Sequence, residues 1–202
     1  MDLVRPYTML VSGQSGCGKT HWVTRLVEET KHLYDNVILA YTMYQADYEK
    51  LGVTLVYGMP SDVPPNTLLI LDDMMFDCNK TMAELFTKMR HASISTIFIV
   101  QHMFFDNKFL RTISRNAHYH VLFPNPRDAG MIHRLATQIY PAKPTFITSA
   151  FDQATSVPFG YLFLDLKPNV KHRIKTGVLQ NEEPCVFLCH DQLANSSIPH
   201  HT

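Results

Sequence analysis

Eight consecutive residues, Gly13-Gln14-Ser15-Gly16-Cys17-Gly18-Lys19-Thr20, match the pattern G-x-x-x-x-G-K-[ST]. The chemistry such a run supports is the binding of a nucleoside triphosphate. Glycine at 13, 16 and 18 lets the backbone curl so that successive N–H groups of the eight residues face a polyphosphate. Lys19 is long enough to reach the β and γ phosphates as a point charge, and the Thr20 hydroxyl can be one ligand of the Mg²⁺ that bridges them. The competing reading is a glycine-rich turn with a solvated lysine.

The flanking residues decide between the two. Tyr7 to Val11 is a short apolar run of strand formers, and Trp22, Val23, Leu26 and Val27 recur at helical spacing. Strand, loop and helix is the required context, and a helix starting near Gly18 adds the positive end of its dipole.

A second signal is Asp72-Asp73 at the end of the apolar run Thr67 to Leu71. Ligands bind at the carboxyl ends of strands in open α/β sheets. Asp72 is therefore expected to bind the metal together with Thr20, and Asp73 to orient or deprotonate an attacking water. Paired aspartates that merely cap the next turn are the alternative. Gln101, at the end of the strand-like run Ser95 to Val100, is expected beside the γ phosphate, where an amide orients water. A solvated strand end is the alternative there.

Strands and helices alternate along the chain. Strands are expected at Asn36–Tyr41, Val53–Tyr57, His118–Phe123, Tyr161–Leu166 and Cys185–Leu188. Helices are expected from the phosphate loop to about Leu33, over Thr81–His91 and Asn107–Ser114, from about Arg127 to Tyr140, and near Phe146–Ala154. This alternation implies an α/β fold with a mainly parallel sheet covered by helices on both faces. One domain is expected over 1–190, with a C-terminal extension from about 141 that adds to the same sheet, and a mobile tail over 191–202.

The balance of 18 basic and 18 acidic residues in a chain of 202 gives no global electrostatic case for nucleic acid. Any DNA contact must then come from local groups such as Lys108, Arg111, Lys167, Lys171, Arg173 and Lys175, which read equally well as a solvated face. No run approaches the roughly 18 apolar residues that span a bilayer, and no secretory leader is legible, so an intracellular protein is expected. Cys185, Cys189, His190 and the closing His200-His201 make a metal site conceivable, but reduced, buried thiols are the expectation for the four cysteines.

Several runs together resemble a family. The phosphate loop, Leu69-Ile70-Leu71-Asp72-Asp73, Arg90-His91, Ile99-Val100-Gln101-His102, and Ile113 to Tyr119 leading into Val121-Leu122-Phe123 look like the genome-packaging ATPases of poxvirus-type large DNA viruses, adintoviruses and Maverick/Polinton elements. These belong to the FtsK/HerA superfamily. The resemblance covers roughly residues 5 to 140, with weaker similarity through Gly160 to Asp165 and Arg173. It implies a RecA-like (ASCE-type) P-loop ATPase working as a homo-oligomeric ring. Such a ring drives double-stranded DNA into a preformed capsid, with a capsid or portal component as partner, inside the host cell or associated with the virion. Where the broader superfamily often carries glutamate after the metal-binding aspartate, this chain has Asp73.

Ring ATPases of this kind take a cation at the γ phosphate from a neighbouring subunit. Arg90, Arg111 and Arg115 are the candidates, and the resemblance implies Arg90 or Arg115. A solvated helix-end arginine that complements the dipole is the alternative. Two other classes fit the phosphate loop less well. A nucleoside or nucleotide kinase lacks support from any arginine-rich lid. A guanine-nucleotide switch needs Asn-Lys-x-Asp, whereas Asn79-Lys80 is followed by Thr81-Met82.

Overall fold

The structure, a computed structural model, describes residues 3–74, 79–80, 82–84, 92–102 and 107–189. Its frame is a single nine-stranded sheet in the order β3-β2-β4-β5-β1-β6-β7-β8-β9. The strands are β1 (Thr8–Ser12), β2 (Asn36–Tyr41), β3 (Thr54–Tyr57), β4 (Thr67–Asp72), β5 (Ser95–Val100), β6 (Tyr119–Leu122), β7 (Leu162–Asp165), β8 (Ile174–Thr176) and β9 (Cys185–Phe187). The six strands β1 to β6 pair in parallel, and β7, β8 and β9 add on in antiparallel fashion.

The continuous apolar runs take the middle of the sheet, because only a strand covered on both faces tolerates them. Every residue of β1, β4 and β5 is buried. Their side chains alternate between two cores. Leu10, Leu69, Leu71, Phe98 and Val100 face one, while Met9, Val11, Leu68, Ile70, Ile97 and Ile99 face the other. Each large apolar side chain so buried contributes about 1.5–3 kcal/mol.

Helix α1 (Lys19–Thr30) covers the second core with Trp22, Val23, Leu26 and Val27. Helices α2 (Lys108–Asn116), α3 (Ala129–Ile139) and α4 (Pro144–Ala154) cover the first with Leu110 and Ile113, Leu135 and Ala136, and Ile147 and Ala150. Asn107 caps α2 by accepting from the amides of Phe109 and Leu110 at 2.8 and 3.3 Å, which satisfies two donors the helix cannot satisfy itself. Proline opens α4, where its missing N–H costs nothing, so this helix starts two residues before the expected Phe146.

Other boundaries shift for local reasons. The first helix gives way after Thr30 to a 3-10 turn at Lys31–Leu33 rather than continuing as α-helix. A 3-10 turn at Pro126–Asp128 likewise precedes α3. Another 3-10 helix, Ala46–Leu51, lies between β2 and β3 where the sequence shows no period. Of the helix expected over Thr81–His91, only 82–84 fall within the described residues, and these are helical.

Candidate active site

Strand β1 delivers the glycine-rich loop. At Gly13 the backbone takes φ 153°, and a Cβ there would sit 2.6 Å from Phe123 Cβ and 2.9 Å from Cys17 Sγ. Only glycine fits. Gly18, at φ 101°, sets the left-handed corner from which α1 departs. Between them the Gln14 amide donates to the Pro124 carbonyl at 3.3 Å, which ties the loop to the segment after β6.

Lys19 folds back into this loop. Its ammonium donates to the carbonyls of Gly13 and Gln14 at 2.7 and 2.8 Å, and the residue is 8 % exposed. Burial lowers its pKa, while Cys17, Asp72 and Asp73 oppose that shift. Burial pushes the neighbouring Cys17 thiol up, against the opposing pull of Lys19.

Strands β4 and β5 bring the acidic and amide groups to the same place. They lie side by side, with Asp72 opposite Ile99, and β5 separates β4 from β1. Asp72 Oδ2 accepts from Tyr48 Oη at 2.8 Å and makes a longer contact of 3.5 Å with Thr20 Oγ1. Burial raises the Asp72 pKa and Asp73 adds to the shift, whereas the Tyr48 hydrogen bond and Lys19 pull it down. Burial and the same carboxylate push the Tyr48 hydroxyl well up, so it remains a donor.

Asp73 adopts φ 55°, a left-handed conformation that aspartate tolerates better than most residues. In a regular strand Asp72 and Asp73 would point to opposite faces. With this turn both line one cavity of about 380 Å³, together with Ser15, Lys19, Thr20 and Gln101. Gln101 Nε2 donates to Asp73 Oδ1 at 3.1 Å, and Thr42 Oγ1 donates to the Asp73 carbonyl at 3.0 Å. The cavity thus joins a lysine, a hydroxyl, two carboxylates and an amide on the carboxyl ends of three adjacent strands.

Oxygen donors of this kind suit Mg²⁺, which keeps several waters and takes one or two protein ligands. Among the described residues no group of three or more His, Cys, Asp or Glu side chains is placed to hold a metal ion. Cys185 is exposed rather than buried, and His190 and the later histidines lie outside the described residues. So do Arg90 and Cys78. Arg115 is exposed in the last turn of α2, and it is not among the residues lining the cavity.

Of the basic residues considered for DNA, Lys167 is engaged within the fold. It lies 3.6 Å from Asp165 and over the Tyr119 ring. Arg173 donates to the Asp165 carbonyl at 3.4 Å.

Three polar neighbours of the site escape a reading of the sequence: Thr42, Tyr48 and Asn125. Asn125 Nδ2 donates to the Gln101 carbonyl at 3.1 Å and so fixes the backbone that carries the amide. The one available signal for Tyr48 is its place in the cluster Tyr41, Tyr44, Tyr48.

No protein-family model matches the chain, and no curated protein sequence matches it significantly. Solved structures do. The genome packaging NTPase B204 from Sulfolobus turreted icosahedral virus 2, in complex with AMPPCP, superposes with a TM-score of 0.62 at 14 % identity, over 91 % of this chain and 100 % of that one. The same protein in complex with ATP-gammaS gives 0.57 at 14 % identity, over 84 % and 95 %. The cytoplasmic domain of the Thermomonospora curvata Type VII secretion ATPase EccC gives 0.54 at 15 % identity, over 85 % of this chain and 24 % of that one. At such identities the likeness is one of fold: the chain has the P-loop NTPase architecture, a mainly parallel sheet sandwiched by helices.

Proposed function

We propose that this protein is an ATP-hydrolysing motor of the FtsK/HerA type that translocates double-stranded DNA into a viral capsid. The observation that carries the reading is the single cavity in which Lys19 and Thr20 of the glycine-rich loop meet Asp72, Asp73 and Gln101 from the ends of β4 and β5. The likeness to B204, named as a genome packaging NTPase, supports the choice of activity.

The residues fit a magnesium-bound triphosphate. Thr20 and Asp72 would hold the ion: their oxygens already converge at 3.5 Å, and both are hard donors. When bound, the metal neutralises charge that builds on the phosphate oxygens. Lys19 leaves the two loop carbonyls to meet phosphate, exchanging neutral acceptors for charged ones. Tyr48 holds the Asp72 carboxylate in place. Asp73 takes the proton from the attacking water, and Gln101, anchored on Asp73 Oδ1, orients that water.

Arg90 or Arg115, supplied by the neighbouring subunit of a ring, completes the site by stabilising charge that develops in the transition state. Residues 1–190 act as one domain. Lys108, Arg111, Lys171 and Lys175 are the groups proposed to meet DNA phosphates, with a capsid or portal component as the further partner. The motor works inside the host cell or on the virion. Among the described residues no helix is long and apolar enough to cross a membrane.

The test is displacement of a triplex-forming strand from duplex DNA. ATP-dependent displacement by the wild type, lost in Asp73→Asn, is expected. A protein that hydrolyses ATP yet never displaces the third strand is not a translocase.

A further inference from the structure

A second and larger cavity, about 990 Å³, adjoins the phosphate cavity and shares Gly18 and His21 with it. The two open on opposite sides of the glycine-rich loop. The smaller faces β4 and β5, whereas the larger is walled by the end of β6, the α4–β7 loop and the β8–β9 region. The larger cavity is thus within reach of the base of a nucleotide whose terminal phosphate lies toward Asp72 and whose chain of phosphates passes Gly18.

The lining suits an uncharged aromatic ring. Trp22, Phe123, Phe159 and Tyr161 contribute ring surface, with Tyr161 packed against both Trp22 and Phe123 at centroid distances of 5.5 and 5.6 Å. Two of the charged groups on the wall, Arg25 and Glu182, satisfy each other, and Glu183 is exposed at its rim. Arg25 pairs with Glu182 at 2.6 Å, and Tyr161 donates to the same carboxylate. The wall thus offers little to a further phosphate and much to a base.

Phe159 stands apart from the other rings. It is 70 % exposed, yet it is held at φ 59° and lies against the start of α1, its Cδ1 3.0 Å from where a Gly18 Cβ would be. Neither the exposure nor the left-handed backbone serves core packing. The loop that carries it is tightly built: Gly160 donates to the Val157 carbonyl at 3.0 Å, and a Cβ on Gly160 would meet the Ala154 carbonyl at 2.3 Å.

We infer that this cavity is the nucleobase site, and that Phe159 is the face on which a purine stacks. The inference rests on the phosphate-binding reading of Gly13–Thr20 and adds to it the means by which the nucleoside half is held. Base–aromatic stacking accounts for roughly a tenfold or larger change in affinity.

Calorimetric titration with ADP and with inorganic tripolyphosphate, both with Mg²⁺, tests this. The wild type binds both. Phe159→Ala weakens ADP about tenfold and leaves tripolyphosphate within twofold, and Phe159→Tyr, which keeps a stacking face, restores ADP binding. Unchanged ADP affinity in Phe159→Ala overturns the inference, and equal losses for the two ligands do the same, while tripolyphosphate binding that depends on Lys19 leaves the phosphate reading standing. If tripolyphosphate fails to bind the wild type, or binds Lys19→Ala equally well, the phosphate reading fails and the base site fails with it.

Discussion

The Tyr48 hydroxyl donates to Asp72 Oδ2 at 2.8 Å, the same oxygen that lies 3.5 Å from Thr20 Oγ1. A hydrogen bond to a metal-binding carboxylate fixes its orientation, and losing one typically costs 10- to 100-fold in metal affinity. Tyr48→Phe removes that bond and keeps the ring. The Mg²⁺ concentration for half-maximal hydrolysis is expected to rise about tenfold, with little change at saturating Mg²⁺. A fall instead would mean that the hydroxyl competes with the ion.

Asp73 and Gln101 are expected to separate in their effects. Asp73→Asn removes the proton acceptor and keeps an acceptor oxygen for Gln101, so turnover falls about 10²- to 10⁴-fold. Gln101→Ala removes only the orienting amide and costs less. Nucleotide affinity in both variants stays within about threefold, which an equilibrium titration with a slowly hydrolysed ATP analogue checks. A large loss of affinity in Asp73→Asn would move that residue from chemistry to binding.

No arginine lines the phosphate cavity among the described residues. If the missing cation comes from a neighbour, two dead variants rescue each other: in a mixture of Lys19→Ala and Arg115→Ala, an intact Arg115 from the first can complete an intact cradle in the second. Hydrolysis above the sum of the separate variants is expected for Arg115 or for Arg90. Mixtures that stay inactive for both residues count against a shared site.

His120 supplies a pH dependence unrelated to the site. It is 1 % exposed on β6, and burial lowers its pKa to about 4 from 6.5, against a small opposing effect of the Ser114 carbonyl. Between these values the unfolded chain binds a proton that the folded one refuses, so stability falls as pH drops from about 6.5 toward 4. Between pH 7 and pH 5 the loss amounts to about 2 kcal/mol. Urea unfolding at the two pH values should show a smaller difference for His120→Phe than for the wild type.

The frame of the molecule was legible because its signals are local. The apolar run Thr67–Leu71 ends in Asp72 in the sequence and in the sheet, and Gln101 follows β5 as expected. The groups that escaped notice act across the chain. Tyr48 reaches Asp72 over 24 residues from a 3-10 turn too short to show a period. Asn125 reaches the Gln101 carbonyl over the same separation from an irregular segment, and Phe159 sits in a loop whose path depends on Gly160. The antiparallel direction of β7 to β9 was equally hidden, because a short apolar strand reads alike in either direction.

Phosphate release from ATP with and without duplex DNA, in the wild type and in Lys19→Ala, tests the proposed nucleotide-driven motor on DNA most directly. Release several-fold faster with duplex DNA, and abolished by the substitution, is the predicted result. Release indifferent to DNA, release that survives Lys19→Ala, or a phosphorylated nucleoside in place of free phosphate would contradict it.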